Sequence, residues 1–281
     1  MKFGLSFPIH DQFADPHLHL ELATLAEQSG WDGYFVWDHI AWKTKGEQMP
    51  VSDPWVILSA VAVQTERVKL GPMVVPLVRR RPWKVARESV ALDHLSNGRL
   101  ILGVGLGAFV DTEWKPFGEM ADTRKRGRML DEALDILTGL WSGEPFGYDG
   151  AFYQVKETQF RPKPKQTPRI PIWAAGSLKK AGKRKPLRRA ARFDGSFPLA
   201  PKQAATPEAY ADLKAFIQSQ RTSNEPFDIV CERSMTKKGI GSAEIVQPYA
   251  DAGVTWWLVN SSGRPVDLDQ IRRLIQQGPP S

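Results

Sequence analysis

Eight short apolar runs alternate with eight segments of helical character along the 281 residues of this chain. The runs fall at 2–8, 34–37, 68–75, 100–104, 171–175, 195–199, 227–232 and 255–259. Strands separated by crossover helices lie parallel. Eight such units closing on themselves give a (β/α)8 barrel, an α/β fold. The helical segments carry their own punctuation. Ser29-Gly30 stops the first, and Asp53-Pro54 opens the second as N-cap and first helical position. The fourth, 122–141, places Met129, Leu130, Ala133, Leu134, Leu137 and Leu140 on one side. Residues 43–52 read as a polar loop, and 142–170, rich in Pro, Gly and aromatics, as a hairpin-like excursion between helix four and strand five. An open doubly wound sheet is the weaker reading. It wants a phosphate turn after strand one, where this chain has His10-Asp11. Residues 1–281 are therefore expected to form one barrel domain.

In such a barrel the residues just beyond the strands form the mouth of the active site. They are His10 and Asp11 after strand one, Asp38 and His39 after strand two, and residues 74–76 after strand three. Gly105, Gly107 and Ala108 follow strand four, Gly176 and Ser177 strand five, Glu232 and Arg233 strand seven, and Asn260 and Ser261 strand eight. A buried strand ending in a carboxylate and an imidazole points to a site, and histidine exchanges protons near neutral pH. His39 is the first candidate catalytic group and His10 the second. Adjacent residues on an extended strand point opposite ways, so Asp38 and His39 do not form a metal pair, and no metal site is expected. Gly105 and Gly107 serve either tight packing or close approach of backbone to a flat ring or phosphate.

Charge is unevenly placed. Residues 161–192 hold twelve Lys or Arg and no Asp or Glu, so the rest of the chain is net −5 (7 − 12). This block suggests one anionic ligand, bound at Gly176-Ser177 ahead of a basic helix with Lys179, Lys180 and Lys183 nearby. It does not suggest a nucleic-acid binder, because no recognition module accompanies it. No apolar stretch approaches the ~20 residues of a membrane span. One cysteine, Cys231, rules out an internal disulfide and fits a reducing cytoplasm.

Several stretches together resemble the bacterial luciferase-like family of flavin-dependent oxidoreductases. They are Met1-Lys-Phe-Gly-Leu-Ser-Phe-Pro8, Gly30-Trp-Asp-Gly-Tyr-Phe-Val-Trp-Asp-His39, Thr65-Glu-Arg-Val-Lys-Leu-Gly71 with Val74-Val-Pro76, and Asp93-His-Leu-Ser-Asn-Gly-Arg-Leu-Ile-Leu-Gly-Val-Gly105. Leu130-Asp-Glu-Ala-Leu-Asp-Ile-Leu137, Leu140-Trp-Ser-Gly143 and Ala191-Arg-Phe-Asp-Gly195 continue the series in order. The resemblance implies a ring cofactor lying across the barrel mouth, FMN or coenzyme F420. It implies a ring-holding bulge with a non-prolyl cis peptide at Met73-Val74, and a cofactor phosphate at Gly176-Ser177. The pair Asp38-His39 matches members that use coenzyme F420, where these residues sit by the reactive face; other members use reduced FMN and oxygen. Two departures matter. Sugar-phosphate dehydrogenases of the family carry a glutamate where this chain has Ala108, which argues against that substrate. The long insertion of the luciferase subunits is lacking. The expected activity is hydride or oxygen chemistry on a small-molecule substrate; the alternative is a flavin-binding barrel without turnover. A homodimer is left open.

Overall fold

A computed structural model describes residues 1–178, 184–199, 205–235, 241–261 and 267–280. In chain order the strands are β1 (Lys2–Phe7), β2 (Gly33–Val36), β3 (Trp42–Thr44), β4 (Glu47–Met49), β5 (Lys69–Pro72), β6 (Val75–Pro76), β7 (Leu102–Gly105), β8 (Phe146–Asp149), β9 (Gln154–Thr158), β10 (Ile172–Ser177), β11 (Gly195–Leu199), β12 (Asp228–Ser234) and β13 (Trp256–Asn260). The helices are α1 (Pro16–Gln28), α2 (Pro54–Gln64), α3 (Pro82–Leu95), α4 (Val110–Glu113), α5 (Thr123–Trp141), α6 (Lys185–Ala190), α7 (Pro207–Gln220), α8 (Ala243–Asp251) and α9 (Leu268–Gln276).

One parallel sheet runs in the order β5-β2-β1-β13-β12-β11-β10-β7-β6. β5 and β6 are two parts of one stave, interrupted by the cis peptide Met73–Val74, where the resemblance put one. Leu70 N donates to Arg99 O at 3.2 Å and Ile101 N to Leu70 O at 2.8 Å, which joins β5 to the start of β7. The eight staves thus close into the expected barrel, and the excursion forms the antiparallel hairpin β8–β9.

Local chemistry explains the helix starts. Asp15 accepts from His17 N at 2.9 Å, Asp53 from Trp55 N at 2.8 Å, and Asp122 from Lys125 N at 2.7 Å. Proline lies in the first turn of both α1 and α2, where a missing N–H costs nothing. The buried apolar residues fall into two bodies. One fills the space between sheet and helices. The other fills the bore, where Phe35, Trp173 and Trp256 meet at centroid distances of 5.3–5.8 Å with Leu258 and Val230 around them.

Two expectations need correction. Residues 43–52 are not simply a loop: β3 and β4 pair across Lys45 and Gly46, both at positive φ (51° and 87°), the geometry of a tight hairpin turn. Gly176 and Ser177 are not a turn opening a helix. They end β10, paired in register with Pro198 and Leu199, and α6 starts only at Lys185. Lys179, Lys180 and Lys183 lie outside the described residues. The one-turn α4 was not expected at all.

Candidate active site

A cavity of about 460 Å³ occupies the mouth at the C-terminal ends of the strands. Its wall includes Asp38, His39, Met73, Val74, Gly105, Gly107, Gly176 and Ser177, so eight of the nine site residues expected from sequence come together. His10 is not among the described lining residues. Its ring stacks on Trp42 at 4.0 Å with the planes 9° apart, 6.1 Å from the His39 ring. Burial, then the neighbouring His39, lowers its pKa from 6.5 to about 4. His10 thus stands behind the wall, with both ring nitrogens buried and without a hydrogen-bond partner among the described residues.

His39 is anchored by a residue that sequence reasoning missed. Its Nδ1 lies 3.0 Å from Glu113 Oε1, which also accepts from Ile40 N at 2.9 Å. Arg79 Nη1 stands 3.3 Å from Glu113 Oε2. The Glu113 side chain is 1% exposed. Burial opposes its ionisation, but His39, Arg79 and the Ile40 N–H outweigh burial and hold the carboxyl below its ordinary range. With Glu113 ionised, Nδ1 carries the hydrogen, and Nε2 is the nitrogen left for a ligand.

Asp38 is held by two arginines. Arg80 grips it with two hydrogen bonds of 3.0 Å, and Arg79 Nη2 adds a third at 3.2 Å. Its carboxylate is therefore committed to the 3₁₀ turn Leu77–Arg79 and the residue after it. Arg79 binds Asp38 and Glu113 together, so the position of His39 depends on both carboxylates.

Glu113 reaches the site because the segment after β7 folds back. A Cβ on Gly107, at φ +74°, would lie 2.5 Å from Trp114 Cζ2, so glycine lets the Trp114 ring pack flat against the chain. Trp114 Nε1 donates to Ala108 O at 2.9 Å, and Arg126 covers its face at 4.4 Å. That fixed tryptophan ends α4 and sets Glu113 one residue before it. Gly105 has a similar packing duty, since a Cβ there would meet Val74 Cγ2 at 2.8 Å. Ala108 lines the cavity and brings no carboxylate to it, while Glu113, five residues on, is committed to His39, Arg79 and Ile40 N. Phe109, 51% exposed, and Phe197 add aromatic surface to the wall.

On the far side of the bore the wall includes Glu232 and Asn260. Arg233 points outward, bonding Ala205 O and Tyr249 Oη. Burial raises the Glu232 pKa from 4.5 to about 7, with Ser6 and Asn260 pulling it back in part. Among the described residues no helix is long and apolar enough to cross a membrane.

A family model described as luciferase-like monooxygenase matches residues 1–236. An F420-dependent glucose-6-phosphate dehydrogenase of Microbacterium testaceum (strain StLB037) is 34% identical over 179 residues, 63% of this chain and 51% of that protein. Its counterpart in Beutenbergia cavernae is 36% identical over 170 residues, 59% of this chain and 48% of that protein. The chain thus spans about half the length of the curated relatives it matches. Among solved structures, an F420-dependent secondary alcohol dehydrogenase in complex with an F420-acetone adduct superposes with a TM-score of 0.79 at 18% identity, covering 98% of this chain and 97% of that one.

Proposed function

Because this chain belongs to the luciferase-like monooxygenase family, we propose that it is an oxidoreductase acting on a small organic substrate through a flavin-type cofactor, coenzyme F420 ahead of FMN. The observation that carries the reading is the His39–Glu113 pair at 3.0 Å in the wall of a cavity of about 460 Å³. That volume lies within the ~300–1,000 Å³ of small-molecule and cofactor sites. The names of the relatives at 34% and 36% identity put F420 ahead of FMN.

The cofactor supplies the hydride exchange. Met73 and Val74 would back its ring, with Gly105 packed behind Val74 and Gly107 against Trp114. Gly176 and Ser177, at the end of β10, meet its anionic tail. Asp38 acts through Arg79 and Arg80, which set the backbone that carries His39. His39 presents Nε2 to the cavity and places a proton or positive charge where negative charge develops. Glu113 holds the ring in that tautomer.

The test is titration of oxidised F420 and FMN into the protein, followed by tryptophan fluorescence. F420 is expected to bind at least about tenfold more tightly than FMN. Ser177→Asp, which brings a like charge to the tail, is expected to weaken F420 about tenfold. Failure of both cofactors to bind overturns the reading. Tight binding of F420 with no reduction or reoxidation on any substrate leaves a binding barrel instead.

A further inference from the structure

The β12 wall of the cavity carries a carboxyl that the His39 chemistry does not use. In the sheet order β12 stands four staves from β5–β6 in either direction. Glu232 therefore lies across the bore from Met73 and Val74. Its Oε1 is buried and has no hydrogen-bond partner among the described residues. Ser6 and Asn260 flank the carboxyl. Ser6 Oγ accepts from Trp37 Nε1 at 3.1 Å, which leaves its own hydrogen for Glu232.

The surroundings decide the state of this group. Val74, Leu106, Phe109, Phe197 and Leu199 make much of the cavity apolar. An ionised carboxylate with a buried, unpartnered oxygen is costly in such a place. A neutral acid avoids that cost and presents an O–H. The other charged groups of the described wall have partners of their own. His39 and Glu113 hold each other, Asp38 is bound by Arg79 and Arg80, and Arg189 by Asp131. On one side β13 and then β1 offer Asn260 and Ser6, both uncharged, and on the other β11 carries no charged residue. Burial holding the acid near neutrality agrees with this geometry.

We propose that Glu232 selects uncharged substrates that carry a carbonyl oxygen, donating the hydrogen of Oε1 to that oxygen while the hydrocarbon body rests on Phe197 and Leu199. Calling this ligand a substrate rests on the oxidoreductase reading. Apolar sites elsewhere keep a carboxylic acid neutral for the same purpose.

The test uses the cofactor-free protein, so its failure and that of the cofactor titration are distinguishable. Infrared spectra follow the protein across pH, alone and with ¹³C-carbonyl cyclohexanone or cyclohexylamine as probes. A protonated carboxyl band is expected at about pH 6, fading as the pH rises through about 7 and absent in Glu232→Gln. The bound ketone is expected to show its C=O stretch at lower frequency. Glu232→Leu loses about tenfold in ketone affinity. Glu232→Gln keeps an N–H donor, so it retains ketone affinity but loses the pH dependence. Absence of the protonated band overturns the proposal. So do equal ketone affinity in wild type and Glu232→Leu, and tighter binding of the amine with affinity rising with pH.

Discussion

The β2 and β12 walls of the cavity both carry carboxylates, and they treat them in opposite ways. On the β2 side Asp38 and Glu113 are each 1% exposed at the side chain, and each has cationic or N–H partners. On the β12 side Glu232 keeps a buried oxygen with no partner. A satisfied network fixes positions, because each member holds the next. An unsatisfied group fixes nothing and waits for something to arrive. The contrast separates residues that hold His39 from one that meets a ligand.

The largest effect should come from breaking the satisfied side. Glu113→Ala leaves the Arg79 and His39 side chains without their shared acceptor. Removing one partner of a buried ion pair destabilises by ~3–5 kcal/mol, measurable by chemical denaturation. A loss below ~1 kcal/mol would mean that the network is no anchor.

Next in size is His39→Ala, which removes the group the network positions. Reduction and reoxidation rates with the bound cofactor should fall about a hundredfold at near-normal affinity. Unchanged rates would exclude the role, and lost affinity alone would make His39 a binding residue.

The smallest effects are those of pH, and they sharpen the contrast between a neutral histidine and a neutral acid. His10, lowered from 6.5 to about 4, resists protonation in the folded state. Its contribution to stability is therefore lost as pH falls from 6.5 through about 4. His10→Gln should flatten thermal stability over that window. Wild-type acid sensitivity in that variant would move the effect to His19, which is also lowered to about 4 by burial. Glu232 has the opposite sign. Raised from 4.5 to about 7, it favours the folded state at low pH, and that contribution is lost as pH rises through 7.

The barrel was legible because its signals are local and repeated. Apolar runs of four to eight residues marked the staves, and Asp53-Pro54 marked a helix start that the structure shows capped. His39 and Asp38 could be read from their place after β2. Glu113 could not. It lies 74 residues from His39 on a helix of four residues, too short for any periodicity to register. Its partner Arg79 sits in a three-residue turn with the same disadvantage. Lys45-Gly46 did hold a hairpin signal, weakened because lysine is an uncommon choice at a positive φ. Gly176-Ser177 misled for a different reason. Small residues before a basic run suit a helix start, but strand pairing with β11 carried the chain past them. Glu232 was visible at its strand end, and only the burial of Oε1 without a partner among the described residues distinguished it from a surface glutamate.

The rings that fill the bore have a consequence for traffic. Phe35, Trp173 and Trp256 are each at most 1% exposed and close the cavity from beneath. Among the described residues the mouth is the way in and out, so the cavity works as a queue with one end. Whatever lies deepest arrived first and departs last. If a ring and a substrate share it, the deeper of the two enters first and leaves last.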